Sequence, residues 1–247
     1  SKPSSGVLKS LKKLRGSKNK VTGGEKQMAI LRQIPKVLKF IPGKAQDLRA
    51  YFLSMQYWLA GSEENIESLF CYLLSRYSSL QHSGKMEIKS PIEYPETGLY
   101  HPNLPRKITE KISEVPRVKN SIGTVGLLLM RSYVLSGDTA HYDEVIRSLE
   151  AQGLNVFPAF AAGLDARPAI NKFFMSNAKA SIDVFLSLTG FSLVGGPAYN
   201  SSKEAEEALA QLDVPYIAAH AIEFQNLNQW DKSDGGLNPI ETTILVS

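Results

Sequence analysis

The sequence is poor in cysteine and has no long apolar run, and each absence excludes a class of protein. Cys71 is the only cysteine in 247 residues, which excludes an internal disulfide framework and any cysteine-rich zinc or iron–sulfur site. No apolar run reaches the roughly 18 residues that a membrane span needs, and no signal peptide opens the chain. We expect a soluble protein without a transmembrane segment, and the cysteine content fits a reducing compartment.

Several familiar catalytic motifs are also missing. The sequence has no P-loop, no G-x-G-x-x-G after a predicted strand, no G-x-S-x-G elbow and no H-E-x-x-H helix. These absences exclude a P-loop motor, the usual dinucleotide site, an α/β-hydrolase nucleophile and a zincin metal site. The four histidines, at positions 82, 101, 141 and 220, are too widely spaced to predict metal ligands, so the identity of any metal ligand stays open.

The charge is unevenly distributed along the chain. Residues 1–44 hold ten Lys and two Arg against the single acid Glu25, a net charge of +11, so the remaining residues sum to −7 within the total of +4. A basic arm of this kind could bind nucleic acid, anionic lipid or an acidic protein surface. Because Phe40 is the only aromatic residue among these cations, we favour a solvated or intramolecular linker and expect no nucleic-acid partner.

Composition and periodicity divide the chain into four segments: a basic flexible arm at 1–24, a helical segment at 25–78, a proline-rich connector at 79–121 and an α/β domain at 122–247. In the helical segment, Gly61 is predicted to end one helix and Ser62 to cap the next. The first of these helices carries apolar residues at helical spacing, which we interpret as a core face: Leu48, Tyr51, Phe52, Met55, Trp58 and Leu59. The prolines of the connector disfavour central strands, and because Tyr94, Tyr100 and His101 lie within it, we expect it to lie over a surface.

The last segment alternates apolar runs with amphipathic stretches. Strands are predicted at 124–130, 154–160, 182–188 and 214–219, and the helices between them include 140–152 and 202–212. This alternation indicates βαβ crossovers and a parallel sheet with helices on both faces. The predicted fold class is therefore α/β: an N-terminal helical region followed by a flavodoxin/Rossmann-like parallel-sheet domain.

In such sheets, ligands bind beyond the carboxyl ends of the strands. The loops at this edge contain cations, carboxylates, imidazoles and glycines: Arg131, Asp138 and His141 after the first strand, Gly163, Asp165 and Arg167 after the second, Thr189 and Gly190 after the third, and His220 and Glu223 after the fourth. His141 and His220 are the two histidines that could meet there, for ligand binding, proton transfer or structural hydrogen bonds. Asp138 could also cap the following helix or interact with its dipole.

Several collinear segments resemble one known family. They include residues 125–142 (VGLLLMRSYVLSGDTAHY), 158–165, 187–198 and 212–217, with further agreement at 42–47, 56–65 and 97–102. Together these segments, which extend over residues 35–247, resemble the large H subunit of magnesium chelatase, which shares ancestry with the cobaltochelatase large subunit. Departures from the plant pattern at 136–139 and 218–223 look like the bacteriochlorophyll branch, so we expect the cytoplasm of a phototrophic bacterium more than a chloroplast.

The resemblance implies a subunit that binds protoporphyrin IX and carries the site of Mg²⁺ insertion in (bacterio)chlorophyll biosynthesis. Separate AAA+ motor subunits would hydrolyse ATP, and this chain would hold no bound cofactor. We assign catalytic roles to His141, Asp138 and Glu223, which could accept pyrrole protons. Substrate-binding roles are assigned to Arg131, His220, Thr189 and Gly190.

Other interpretations stay open. The chain starts at Ser1 and stops within the apolar run 244–246, so we expect a fragment that is inactive alone. It could be a non-catalytic scaffold or docking module for the motor subunits, or belong to a cobaltochelatase-type large subunit. A stand-alone small-molecule-binding regulator is a further alternative.

Overall fold

A computed structural model describes residues 34–36, 38, 39, 41, 43, 45–78, 87–196 and 199–246. The chain forms two compact units that divide between Tyr94 and Pro95. The predicted basic arm at 1–24 lies outside the described residues, and the predicted segment boundaries stay predictions. None of the described helices is long and apolar enough to cross a membrane.

The first unit contains two consecutive helices, α1 (Ala45–Ala60) and α2 (Glu63–Tyr77). Gly61 separates them in a left-handed conformation, with φ +66°. The Ser62 hydroxyl oxygen accepts a hydrogen bond from the backbone N of Asn65 at 3.3 Å, which satisfies one of the unpaired amides at the start of α2. The predicted helix break and N-cap are confirmed.

The predicted core face of α1 is wrong. Tyr51 is 59% exposed and Trp58 is 64% exposed, whereas Ala50 and Tyr57 are buried. Helical periodicity locates an apolar stripe but does not say which element covers it. Within the described residues, the large apolar side chains of α1 and α2 that remain exposed are Leu48, Tyr51, Trp58, Leu59, Phe70, Leu74 and Tyr77.

The second unit is built on a six-stranded sheet with two small hairpins. Its strands are β1 Thr97–Tyr100, β2 Ile108–Thr109, β3 Gly123–Met130, β4 Leu154–Ala161, β5 Met175–Ser176, β6 Lys179–Ala180, β7 Val184–Ser187, β8 Gly195–Gly196, β9 Tyr199–Asn200 and β10 Tyr216–Ala218. Its α-helices are α3 Arg131–Ser136, α4 Ala140–Ala151, α5 Arg167–Ala169, α6 Ser202–Leu212, α7 Leu227–Asp231 and α8 Pro239–Val246. A π-helical turn, Ile170–Phe174, follows α5.

The sheet has the order β10-β7-β3-β4-β1-β2, and its first four strands are parallel. In chain order these four follow the flavodoxin-like arrangement, so the predicted parallel sheet is confirmed. Apolar side chains pack on both faces: Leu127 lies with Tyr142 of α4 in the core on one face, and Leu128 lies with Phe174 and Leu212 in the core on the other. The predicted strands and helices of this sheet agree with the structure to within two residues.

The proline-rich segment contributes two strands that the sequence analysis missed. β1 is hydrogen-bonded on both edges, antiparallel to β4 and to β2, and its Leu99 is fully buried. The prolines flank these four residues without interrupting them, so every amide of the strand can pair. Gly98 is required in β1 because a Cβ there would lie 2.5 Å from the Phe160 ring.

Candidate functional site

The carboxyl ends of β3 and β7 lie side by side, since Leu128 near the end of β3 pairs with Ser187 at the end of β7. The chain passes from β3 to β4 on one side and reaches β7 on the other, so this is the topological switch point of the sheet. A crevice opens at such a point because the two following connections leave on opposite sides. Most of the predicted site residues lie in the loops that leave β3, β7 and β10 at this edge.

Tyr133 on α3 joins two of the predicted residues. Its hydroxyl donates a hydrogen bond to Glu223 Oε1, and its ring lies edge-on to the His141 ring with 5.6 Å between centroids. The bond to Glu223 raises the pKa of Tyr133, because the carboxylate stabilises the protonated phenol. The sequence analysis did not select Tyr133, although the residue lies two positions after Arg131 in the first of the predicted loops.

A second tyrosine, Tyr142, closes this group from the protein interior. Its hydroxyl oxygen accepts from the backbone N of Met130 at 3.2 Å, and its ring centroid lies 3.9 Å from that of His141. Burial raises the pKa of Tyr142 to about 12. The half-buried His141 therefore contacts two tyrosine rings, and the Tyr142 phenol stays protonated at physiological pH.

Asp138 is exposed and lies close enough to act electrostatically on Tyr133 and Tyr142, whose pKa values its charge helps to raise. The residue at the N-cap of α4 is Thr139, so the predicted capping role of Asp138 is wrong. Helix α4 starts at Ala140, whereas a cap at Asp138 would require a start at residue 139. Its catalytic assignment stays a prediction.

Gly190, His220 and Glu241 form a second group beside the first. Gly190 has φ +74°, and a Cβ at this position would lie 2.3 Å from His220 Nδ1, so only glycine allows the imidazole to pack against this loop. On the other side of the ring, His220 Nε2 lies 3.5 Å from Glu241 Oε2. The sequence analysis missed Glu241, which belongs to α8.

Glu241 connects the two groups. Its side chain is fully buried, and its Oε1 accepts from the backbone N of Phe224 at 2.5 Å and from that of Glu223 at 2.6 Å. These amide donors, the one from Phe224 first, hold the pKa of Glu241 below its usual range despite burial. The side chain of Glu223 thus faces Tyr133 while its backbone is held by Glu241.

The remaining predicted binding residues are tied to nearby backbone. Arg131, the first residue of α3, donates from Nε to the Pro95 carbonyl at 3.1 Å. The Thr189 hydroxyl lies 3.0 Å from the Ser187 hydroxyl and donates weakly to the Phe191 carbonyl. These bonds shape the loops at the switch point.

The loop after β4 forms a separate ion-pair group. Arg167 binds both carboxylate oxygens of Asp165 at 2.7–3.1 Å and binds Glu204 of α6 at 2.8 Å. Although burial raises it, the pKa of Asp165 stays below its usual range because of Arg167.

In the part of the chain that the structure describes, His141 and His220 share no hydrogen bond or ring contact, and no group of three His, Cys, Asp or Glu side chains could hold a metal ion.

Comparison with known proteins identifies the family. A family model described as CobN/Magnesium Chelatase matches residues 55–247. The chain belongs to the CobN/magnesium chelatase family. A second family model, described as a domain of unknown function, matches residues 1–52. The resemblance inferred from the sequence is thereby confirmed.

Individual relatives agree with this family assignment. The chain is 59% identical over all 247 residues to the magnesium-chelatase H subunit of Cereibacter sphaeroides, of which it covers 21%. It is 35% identical to the chloroplastic magnesium-chelatase protein ChlH of Oryza sativa subsp. indica, where 93% of this chain matches 18% of that protein. The chain thus spans about a fifth of the length of these relatives.

A solved structure shares the fold. The catalytic subunit of cobaltochelatase from Mycobacterium tuberculosis superposes with a TM-score of 0.55 at 18% identity, covering 78% of this chain and 15% of that one. At this identity the likeness concerns the fold alone. The switch-point edge described above is therefore an edge of a CobN/magnesium chelatase fold.

We expect the buried phenol of Tyr142 in this family member to make stability fall at high pH. Because the folded state holds its pKa at about 12, above the ordinary 10.0, the stabilisation is complete below pH 10 and is lost as the pH rises toward 12. Replacing Tyr142 with Phe should make the decline in unfolding free energy over this range shallower. Urea denaturation at a series of pH values measures this dependence of the unfolding free energy on pH.

The exposed Tyr51 provides the control for that experiment, because its side chain is 59% exposed. A Tyr51→Phe variant should keep the wild-type slope. An equal flattening in both variants would contradict the assignment of the alkaline decline to Tyr142.

Proposed function

We propose that this chain is part of the porphyrin-binding subunit of a magnesium chelatase, which inserts Mg²⁺ into protoporphyrin IX in (bacterio)chlorophyll biosynthesis. The observation that carries the proposal is the meeting of Tyr133, His141 and Glu223 beside Gly190 and His220 at the switch point of a chain from this family. The 59% identity to a relative named as a magnesium-chelatase H subunit favours magnesium over a cobaltochelatase-type role. The reaction belongs to the complete complex, and we propose that these 247 residues alone are inactive.

The proposed reaction has two chemical demands. A hydrated Mg²⁺ gives up its water ligands reluctantly, and two pyrrole protons must leave the macrocycle. In this proposal the exposed Glu223 carboxylate and the His141 imidazole accept protons at the porphyrin face, and Asp138 adds negative charge beside them. Mg²⁺ is the substrate ion, and AAA+ motor subunits supply the energy by hydrolysing ATP.

The binding roles follow from charge and shape. The Arg131 guanidinium would pair with a porphyrin propionate, since charge-assisted bonds to carboxylates are strong. Thr189, Gly190 and His220 would line the edge of the macrocycle, with the imidazole held against Gly190. Relatives of the chain come from bacteria such as Cereibacter sphaeroides, and we propose the cytoplasm of a phototrophic bacterium as the site of action.

Titration of the chain with a soluble protoporphyrin analogue tests this proposal. In a Trp58→Phe background, fluorescence quenching reports from Trp230 in the second unit. We expect saturable binding that Arg131→Ala and His141→Ala each weaken about tenfold, as expected for loss of a charged or aromatic contact of about 1.4 kcal/mol.

The exposed Arg147, which pairs with Glu144 on α4, is the matched control for Arg131. Arg147→Ala should bind the analogue as tightly as the wild-type chain. If no variant alters binding, or if the chain shows no saturable binding, the switch-point edge is not a porphyrin site of this chain.

The exposed apolar side chains of α1 and α2 favour a second candidate, a docking module for the motor subunits. Exposed apolar patches of this kind are typical of interaction sites. In a pull-down with purified motor subunits, a Tyr51→Ser/Trp58→Ser variant should lose capture while porphyrin binding remains. If neither the wild-type chain nor the variant captures the motor subunits, this candidate is contradicted.

A further inference from the structure

Glu241 occupies an unusual place for a carboxylate. It is fully buried, one oxygen accepts from two loop amides, and the other faces His220 Nε2 at 3.5 Å. Within the described residues, neither Glu241 Oε2 nor His220 Nε2 has a hydrogen-bond partner. Burial of a carboxylate is costly unless hydrogen bonds compensate for the lost water, so the burial of Glu241 needs an explanation.

Ordinary helix capping does not provide one. Glu241 is the third residue of α8, where an acid often accepts from the N-cap amide of its own helix. Here the N-cap amide, that of Asn238, donates to Gln225 Oε1 at 2.5 Å instead. Asn238 Oδ1 accepts from the amides of Ile240 and Glu241, each at 2.9 Å, and so caps the helix without the Glu241 side chain.

The carboxylate of Glu241 is directed at the loop after β10. This loop carries His220 and Glu223, two of the residues assigned above to the porphyrin site. By binding the amides of Glu223 and Phe224, Glu241 fixes the backbone from which the Glu223 side chain reaches Tyr133. The loop is also held by Asn238, whose Nδ2 donates to the Phe224 carbonyl at 3.3 Å.

We propose that Glu241 is a positioning residue, which holds the loop after β10 so that Glu223 meets Tyr133 and the His220 imidazole lies against Gly190. This inference rests on the proposed function for its biological meaning, because the positioned groups are those proposed to bind and deprotonate the porphyrin. Its structural content is independent of the porphyrin: without Glu241, the Tyr133–Glu223 bond is lost.

The bond from Tyr133 to Glu223 provides the readout. A single 3-fluorotyrosine at position 133 allows its titration to be followed by fluorine NMR in the 247-residue chain. Glu223→Gln removes the carboxylate directly and should lower the titration midpoint by about one pH unit. Glu241→Ala should lower it by a similar amount, although residue 241 does not touch Tyr133. Glu241→Gln keeps an oxygen acceptor for both amides and should stay within about 0.3 pH units of the parent chain.

Thr242→Gly is the control for a role in helix stability alone. It weakens α8 at an exposed position next to Glu241 and removes a hydroxyl bond to the Asn238 carbonyl, while the bonds of Glu241 to the loop amides do not involve Thr242. The proposal is overturned if Glu241→Ala leaves the Tyr133 midpoint unchanged, or if Thr242→Gly moves it equally. Either result would make Glu241 a purely structural residue.

Porphyrin titration of the same variants separates this inference from the proposed function. We expect Glu241→Ala to weaken binding of the protoporphyrin analogue about tenfold and Glu241→Gln less than threefold. If the parent chain does not bind porphyrin, the proposed porphyrin site at the switch-point edge fails, and the fluorine titration still decides whether Glu241 positions the loop. If the midpoint shifts but binding does not, Glu241 positions a loop that does not take part in porphyrin binding.

Discussion

Replacing Gly190 with alanine is expected to displace the His220 imidazole and to destabilise the second unit by about 2–5 kcal/mol. Two costs combine. An L-residue at φ +74° costs about 1–2 kcal/mol, and a methyl group 2.3 Å from His220 Nδ1 adds an overpacking cost of about 1–3 kcal/mol. Binding of the protoporphyrin analogue should weaken as well, because the same substitution moves His220 away from Glu241.

Gly163 supplies the matched control. It has the same φ of +74°, and a Cβ there would meet nothing within 4 Å. Gly163→Ala should therefore cost only the backbone term, about 1–2 kcal/mol, and leave porphyrin binding unchanged. Urea denaturation compares the unfolding free energies of the two variants. Equal losses of stability would show that a methyl group at position 190 does not clash with His220.

Replacing Phe185 with alanine should produce the largest loss of stability, about 3–5 kcal/mol. Phe185 lies in β7, is fully buried, and has its ring centroid 5.4 Å from that of Phe174 and 5.2 Å from that of Tyr216. Its removal leaves a cavity between the sheet and the π-helical turn and removes the main aromatic contact to β10. Urea unfolding followed by Trp230 fluorescence measures the effect.

Phe224 controls for the general effect of truncating a phenylalanine in this unit. Its side chain is 53% exposed, so Phe224→Ala should change the unfolding free energy by less than about 1 kcal/mol. Similar losses in the two variants would mean that the core does not depend on the ring of Phe185.

The long parallel strands could be predicted from the sequence because a strand buried on both faces is a continuous apolar run. β3 and β4 have this pattern, and α6 was predicted with its observed bounds. β1 has no such signal, because its four residues become a strand only through pairing with β4, far along the chain. The exposed stripe of α1 shows the same limit, since periodicity does not encode which element covers a helix.

The candidate site was predictable to a similar extent. His141, Gly190, His220 and Glu223 were selected because the carboxyl ends of parallel strands share one edge. Glu241 was missed, since only the folding of α8 back onto the loop after β10 brings it there. The sequence analysis predicted no element at 239–246, where β-branched residues do not favour a helix, and nothing in the local sequence shows which loop the acid would bind.

The antiparallel pairing of β1 with β4 has a consequence for synthesis on the ribosome. A chain made at roughly 5–20 residues per second exposes Thr97–Tyr100 for several seconds before Leu154–Ala161 is complete. The strand that comes first in the sequence therefore gains its main partner late, after β3 has been made. A nascent chain that stalls before Leu154 keeps Leu99 and Tyr100 exposed, as a target for chaperones and proteases.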